Sequence, residues 1–371
     1  MVMAASTRQR KWHPYQPTSV PVPGETLRET LEALEMSQSK LAARTGLTLK
    51  HINQIVQGNA AISPDTAVAF ERATGVDAQI WNALETRYQD HQIRANEVEV
   101  LESHRQWLEQ MPLVALRKLG YVTADKRRPG VQLQEALKFF GVANIQTWDS
   151  YWKEPAAAFL QSSAFTADAG AVAAWLRIGE LAAAEVECEP FDRAGLKAAL
   201  PSLRRLTVKD PREFLPELRS ICASVGVCVV LVREVPGARA SGVSRFLSPS
   251  KALIQLSNRG KRNDKFWFAF FHEVAHLVLH SKKETFVEFE KGSTGTPEIE
   301  REANDFAARL LIPAQYDIDL EAIQTSSDAV ALADRIGVAA GIVAGRIQRD
   351  RQEWTFGVAA GLFRKYEIVH E

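Results

Sequence analysis

The motif that constrains this chain most is His272-Glu273-x-x-His276, which lies inside the apolar stretch from Phe266 to His280. The stretch contains no Gly or Pro, so it is predicted to form a buried helix. Side chains four positions apart share one face of a helix, and the two histidines can therefore offer both imidazoles to one metal ion. Glu273 lies about 100° around the helix, where it is predicted to act as a general base.

Two histidines on an apolar helix can also be core histidines whose nitrogens are satisfied by their neighbours. A buried helix, however, rarely holds three titratable groups within five residues unless these groups are paired or bind a metal. This local density favours a metal site. A carboxylate ligand is then expected from another helix, and zinc suits a set of two His and one carboxylate.

A second predicted helix runs from Pro297 to Pro313, because proline is typical of a first helical turn and of a helix stop. Glu300 and Asn304 lie on a flank that continues into apolar positions, whereas Glu298 and Glu302 lie on the polar flank and are expected in solvent. The periodicity therefore predicts Glu300 as the third metal ligand. Asn304, one turn later, is predicted to orient a ligand imidazole.

The order and spacing of two separated motifs resemble those of the ImmA/IrrE metallopeptidases. These motifs are His272-Glu273-x-x-His276-Leu-x-x-His280 and Glu300-x-Glu302-Ala-Asn-x-Phe-Ala-x-x-Leu-Leu-Ile-Pro313. The resemblance covers about residues 215–350 and implies one zinc ion per chain, bound by the first two histidines and Glu300, with Glu273 as general base. His280 also fits the pattern, and three roles stay open for it: support of a ligand imidazole, substrate contact, or the helix surface.

Short helices separated by glycine-containing turns are predicted over residues 23–91. Ser37 is a predicted N-cap and Gly46 a helix end, and Leu49–Gly58 follows as the next short helix. Two short helices joined in this way form a helix-turn-helix. Residues 22–91 resemble the XRE-type helix-turn-helix, and more narrowly the HigA antitoxin subgroup. The resemblance implies double-stranded operator DNA as a partner, with a toxin protein as a further partner, and operator binding by this fold predicts a homodimer.

The charge pattern supports DNA contact only locally. The whole chain carries 45 basic and 45 acidic residues, but no acidic residue occurs between Met36 and Pro64. Two predicted helix N-termini in this stretch can donate to phosphates, and the second helix can reach base edges. A helix-turn-helix retained for dimerisation or protein binding is the alternative. The predicted DNA contacts are Ser37, Gln38, Lys40, Thr48, Lys50, His51, Asn53 and Gln54.

Three segments rich in β-branched residues precede the metal motif, at 226–233, 241–247 and 252–257. They predict a small sheet over the metal site. An edge strand can pair with an extended peptide, and glycine permits close approach of another backbone. Gly242 and Val243 are therefore the predicted substrate edge.

These observations predict a multidomain, mainly α protein. An arm over residues 1–22 is polar and Pro-rich and is expected to be flexible, and an all-α helix-turn-helix domain follows at 23–91. A helical linker domain is predicted at 92–215, and an α+β zincin-like domain with a small sheet and the HExxH helix at 216–371. Residues 328–349 resemble a second helix-turn-helix, but the apolar character of this segment favours two packed helices.

No apolar run reaches transmembrane length, and the N-terminus lacks the apolar core of a signal peptide. The three Cys lack metal-site spacing and are expected to be reduced thiols, so a cytoplasmic protein is predicted. The predicted function is a DNA-binding transcriptional regulator, antitoxin-like or responsive to stress or phage, whose zinc endopeptidase domain hydrolyses a regulatory protein or partner. In the alternative, the zinc domain is a sensing or structural module without proteolysis, and His280 is the nearby fourth ligand that would close it.

Overall fold

The computed structural model describes residues 20–153, 156, 168–257, 262–280, 297–352 and 361–366. Of the predicted arm, only residues 20–22 are described. Most of the stretch 356–363 also lies outside the described residues. The chain divides into two compact units, Met1–Ser103 and His104–Glu371.

From residue 20 onward, the first unit is a bundle of five helices, and several of their ends follow local capping signals. Ser37 Oγ accepts from the backbone N–H of Lys40 at 3.1 Å, and Thr48 Oγ1 accepts from that of His51 at 3.2 Å. Gly46 ends the second helix in the left-handed conformation at φ 73°, which favours glycine. The five helices are α1 (Pro23–Ala33), α2 (Gln38–Thr45), α3 (Leu49–Val56), α4 (Pro64–Thr74) and α5 (Ala78–Glu102).

This unit has its own apolar core. Leu27, Leu41 and Ile52 are fully buried, and Phe70 meets Trp81 edge to face with ring centroids 5.7 Å apart. Aromatic pairs in this geometry stabilise a core beyond the area that they bury. The core includes residues of both α2 and α3, the two helices of the predicted helix-turn-helix.

The second unit begins with short helices. The predicted helical linker from residue 92 is interrupted after Glu102. A second interruption precedes α6, where Pro112 has no N–H to donate and its ring clashes with a preceding turn. The elements are a 3-10 turn (Arg105–Gln110), α6 (Leu113–Lys118), α7 (Pro129–Phe140), α8 (Ile145–Trp148), a π turn (Asp149–Lys153), α9 (Ala169–Ala184), α10 (Arg193–Arg205), a 3-10 turn (Leu206–Val208) and α11 (Pro211–Ala223).

A three-stranded sheet follows, with the order β1-β3-β2. It consists of β1 (Val227–Leu231), β2 (Gly242–Ser248) and β3 (Lys251–Leu256). β1 runs parallel to β3 and β2 antiparallel to it, with Gly242 opposite Leu256. Within the described residues β2 is therefore an edge strand.

α9 packs on this sheet through polar contacts with the main chain. Gln255 Nε2 donates to the Trp175 carbonyl at 2.7 Å, and Arg245 donates to the Leu176 carbonyl at 3.1 Å. These contacts place the predicted linker region in one compact unit with the sheet. The division at residues 91/92 and 215/216 remains a proposal about which parts fold independently.

Six further elements complete the second unit. α12 (Asn263–Leu279) carries the HExxH motif and packs against the sheet, against α13 (Pro297–Leu311) and against the last helix. The last helices are separated by Gly337 and bury apolar residues against α12, in agreement with the prediction of two packed helices. The remaining elements are a 3-10 turn (Ala314–Tyr316), α14 (Asp317–Ala322), α15 (Ser326–Ile336) and α16 (Ala340–Arg351).

The structure confirms the predicted fold class: a helical N-terminal unit, a helical middle region and a C-terminal region with a small sheet and helices. Within the described ranges, no helix combines the length and the apolar character that crossing a membrane requires.

Candidate functional site

The two motif histidines and Glu300 form a compact cluster where α12 meets α13. His272 Nε2 and His276 Nε2 are 3.1 Å apart. The Glu300 carboxylate lies 3.3 Å from the first of these nitrogens and 3.6 Å from the second. Within the residues that the structure describes, these three form the one group of His, Cys, Asp or Glu side chains whose ligand atoms all lie within 4.8 Å of one another.

The spacing of these three side chains fits a zinc ion. Ligands about 2.0 Å from a tetrahedral ion are separated from one another by about 3.3 Å. The two imidazole nitrogens are 3.1 Å apart, and each lies 3.3 or 3.6 Å from one of the two Glu300 oxygens, so the distances bracket this value. The donor set of two imidazoles and one carboxylate is also one that zinc takes in catalytic sites.

Glu273 lies beside the cluster with its side chain buried. Ser244 Oγ on β2 donates to Glu273 Oε2 at 2.8 Å. Burial raises the pKa of Glu273 to about 7, and the nearby Glu300 charge raises it too, whereas His272 and the Ser244 hydrogen bond lower it. A carboxylate with a pKa near neutrality can both accept and return a proton.

β2 also meets Glu273 through its backbone. A Cβ added to Gly242 would lie 2.8 Å from Glu273 Oε1. Gly242 therefore leaves room for the Glu273 carboxylate, and its predicted role as a substrate edge stays a prediction. Val243, the other predicted edge residue, is buried and lies opposite Gln255 of β3.

The sequence interpretation did not identify Ser244. A usable signal exists, because alternate strand residues face one side and Ser244 therefore lies on the face of Gly242. A hydroxyl at a buried strand position also needs a polar partner. Neither signal names Glu273 as that partner, since 29 residues separate the two side chains.

The protonation equilibria of the three cluster residues depend on one another. Burial, together with the charge of His272, lowers the pKa of His276 to about 4, so its imidazole is neutral and able to bind a metal at neutral pH. Burial is the largest single influence on His272 and opposes its protonation, but the hydrogen bond to Glu300 and the charges of Glu273 and Glu300 together outweigh burial, and the pKa of His272 is raised. Burial raises the pKa of Glu300, whereas His272 and His276 lower it, and the net shift is downward.

Asn304 and His280 surround the cluster in different ways. Asn304 interacts with His272 and contributes to its raised pKa. His280 is buried, and its Nδ1 lies 3.2 Å from His276 Nδ1, on the side of that ring away from the cluster. Its Nε2 lies 3.4 Å from Glu302, an acid whose side chain is 60% exposed.

All eight predicted DNA contacts lie on α2, on α3 or at their N-caps. Ser37, Lys40, Thr48, Lys50 and Asn53 are exposed. The Ser37 and Thr48 hydroxyls serve as helix caps, so their roles are at least partly structural. The half-buried members are Gln38, His51 and Gln54.

Parts of the chain are similar to known proteins. Virulence-associated protein I of Dichelobacter nodosus is 39% identical over 67 residues, which are 18% of this chain and 62% of that protein. The chain thus spans less than two thirds of this relative. Two solved structures are also similar, each over about a quarter of this chain.

One is an addiction module antidote protein of the HigA family from Coxiella burnetii, 26% identical, with 23% of this chain and 92% of that chain covered and a TM-score of 0.21. The other is a putative antidote protein of a plasmid maintenance system from Nostoc punctiforme. It is 23% identical, with 24% and 91% covered and a TM-score of 0.20.

Two family models match separate parts of the sequence. The helix-turn-helix model matches residues 27–81, which contain α2 and α3. The model of the IrrE N-terminal-like domain, a peptidase family, matches residues 229–348, which contain the sheet and the metal cluster. The chain therefore joins an XRE-type helix-turn-helix domain to a domain of the IrrE N-terminal-like, or ImmA/IrrE, peptidase family.

Proposed function

We propose that this protein is a cytoplasmic DNA-binding regulator whose second unit is a zinc-dependent endopeptidase acting on a regulatory protein or partner. The observation that carries the proposal is the cluster of His272, His276 and Glu300 with the buried Glu273 beside it. Three protein ligands leave an open coordination position, which is typical of catalytic rather than structural zinc sites.

Each residue has a separate role in peptide hydrolysis. His272, His276 and Glu300 bind zinc, which when bound polarises a carbonyl group and lowers the pKa of water. Glu273 takes a proton from the attacking water and passes it to the leaving amine. Ser244 orients the Glu273 carboxylate, and β2, an edge strand among the described residues, is where an extended substrate is proposed to pair.

The metal centre is tested by elemental analysis of the full chain after purification with zinc present. Wild type is expected to hold close to one zinc per chain, and Glu300→Ala to lose most of it. Glu298→Ala is the matched control, because Glu298 is an exposed acid on the same helix. Wild type without zinc would overturn the peptidase proposal, and zinc retained in Glu300→Ala would exclude Glu300 as a ligand.

Proteolysis is tested with Glu273→Gln, which removes the base and leaves all three ligands. New protein N-termini can be profiled in cells that produce wild type or the variant. The proposal expects N-termini that appear with wild type and disappear with Glu273→Gln, while zinc content stays unchanged. Cleavage that persists in the variant would exclude Glu273 as the base.

A sensing or structural zinc module without proteolysis is the second candidate. A structural site needs a fourth protein ligand, and His280 was the nearby candidate. His280 instead approaches His276 from the side away from Nε2, which supports the open-site proposal. Zinc binding with no Glu273-dependent cleavage would favour this second candidate.

DNA binding by the first unit is proposed to use a homodimer and α3 in the major groove. Lys50→Ala should weaken binding to duplexes selected from a random library and reduce its salt dependence, because one phosphate contact is lost. Arg28→Ala, an exposed basic residue on α1, is the control. Equal DNA affinity of both variants would show that Lys50 does not contact DNA. Light scattering of the full chain measures whether it is a dimer.

A toxin protein is proposed as a further partner, bound through residues 1–22. Deletion of this arm should abolish toxin neutralisation and spare DNA binding. Unchanged neutralisation would contradict an arm-mediated contact.

A further inference from the structure

His280 is a buried residue that the proposed hydrolysis does not use. It follows α12 directly, and its backbone N–H donates to the His276 carbonyl at 3.2 Å. Its own carbonyl accepts from the Arg193 guanidinium of α10. The main chain of His280 is therefore held on both sides, and the imidazole has a defined position behind His276.

The ring of His280 continues a line of imidazoles along one face of α12. His272 and His276 meet through their Nε2 atoms, and His276 and His280 meet through their Nδ1 atoms, 3.2 Å apart. His276 thus has its two ring nitrogens occupied on opposite sides. One faces the metal cluster and the other faces His280.

The directions of these hydrogen bonds follow from metal binding. A neutral imidazole that offers Nε2 to a metal carries its hydrogen on Nδ1. The Nδ1–H of His276 then donates to His280 Nδ1, which must be an acceptor. The hydrogen of His280 consequently lies on Nε2, which is 3.4 Å from the Glu302 carboxylate.

From this geometry we propose that His280 is a positioning residue for the metal centre, supported by Glu302. His280 fixes the ring orientation and the tautomer of His276, so that Nε2 faces the metal. The inference rests on the proposed zinc site but does not require peptidase activity. Glu302 was expected from the sequence to lie in solvent. Its side chain is 60% exposed and also contacts His280.

Zinc affinity measured by competition with a chromophoric chelator provides the first test. His280→Ala should weaken zinc binding by about 10–100-fold, the effect typical of losing a hydrogen-bond partner of a ligand. His280→Asn should stay close to wild type, because its amide oxygen can replace Nδ1 as acceptor. Glu302→Ala should have a smaller effect than His280→Ala, and Glu298→Ala, an exposed acid on α13, should have none.

The tautomers of the zinc-loaded wild type provide a second test that requires no substitution in the protein studied. Long-range proton–nitrogen correlation spectra should show His276 with hydrogen on Nδ1 and His280 with hydrogen on Nε2. Hydrogen on His280 Nδ1 would overturn the inference even if His280→Ala failed to fold.

Two further results would contradict the inference and can be told apart. Wild type that binds no zinc would overturn the proposed metal centre and this inference together. Wild type that binds zinc, with equal affinity in a folded His280→Ala, would overturn the role of His280 alone.

Discussion

The helix-turn-helix unit and the metal centre use polar side chains in opposite ways. In the first, Thr48 caps its helix by bonding a backbone N–H three residues away at the surface. In the second, Ser244 bonds Glu273 inside the protein across 29 residues. At the surface, water can replace the hydrogen bond of a helix cap. An ionised carboxylate that is buried without hydrogen-bond partners, in contrast, strongly destabilises the folded protein. Local signals therefore determine the first region, and tertiary packing determines the second.

The largest expected effect tests whether the first unit is self-contained. Trp81→Ala removes a fully buried indole that packs on Phe70, and should lower the free energy of unfolding by about 3–5 kcal/mol. Urea unfolding measures this loss. Ile80→Ala is the control, because Ile80 is 50% exposed and its loss should change little. A fall in zinc content in Trp81→Ala would contradict independent units.

A second prediction concerns the buried carboxylate of the metal centre in metal-free protein. The folded pKa of Glu273 is about 7 and its ordinary value is 4.5, so the folded state holds this proton more tightly than the unfolded state. Stability is therefore lost as pH rises from 4.5 to 7, and the loss is complete above pH 7. It amounts to roughly 3 kcal/mol.

Glu273→Gln removes this titration and should be more stable than wild type at pH 8. The difference should shrink toward pH 5, and urea unfolding with a chelator present measures it. Glu298→Gln, at an exposed position, should show a nearly constant difference from wild type over the same range. If the free energy of unfolding of Glu273→Gln differed from that of wild type by the same amount at every pH, burial would not raise the pKa of Glu273.

A third prediction isolates the contact between β2 and Glu273. Ser244→Ala removes a hydrogen bond to a buried carboxylate and should destabilise metal-free protein by about 1.5–3 kcal/mol at pH 8. The loss should be smaller at pH 5, where the carboxyl is protonated. Ser248→Ala on the same strand is the control, because the Ser248 hydroxyl bonds to the exposed Ser250 in the following turn rather than to a buried carboxylate. Equal losses at both positions would make Ser244 an ordinary strand residue.

The smallest expected effect belongs to the surface cap of α2. Ser37→Ala should cost about 1 kcal/mol, because the Lys40 N–H loses its acceptor. Thermal unfolding measures the change, and Ser39→Ala, exposed inside the same helix, should be neutral or slightly stabilising. A cap effect as large as that of Ser244→Ala would weaken the contrast between the two regions.

The same contrast explains what could be predicted from the sequence. Ser37, Gly46 and Pro297 mark helix ends through chemistry within one turn, and the predicted ends lie close to the observed ones. Helical periodicity also placed Glu300 on the flank that faces the histidines. Periodicity describes one element at a time. It gave neither the Ser244 contact, which needs the position of β2, nor the direction from which His280 approaches His276.

The middle of the chain was the least predictable part for the same reason. Pro112 breaks a stretch whose composition favours helix, and the packing of α9 on the sheet depends on side chains far away in sequence. Arg245 and Gln255 make these contacts from two strands. Nothing in the local sequence around either residue identifies α9 as its partner.

The two faces of β2 have a practical consequence for anyone who shortens this protein. Ser244 faces the Glu273 carboxylate, while its neighbour Arg245 bonds the Leu176 carbonyl and Glu180 on α9. A fragment cut at the edges of the matched family region, 229–348, would remove both of these α9 partners and uncover a guanidinium that is buried in the whole chain. A minimal fragment that keeps the metal cluster and these contacts should therefore begin before residue 168.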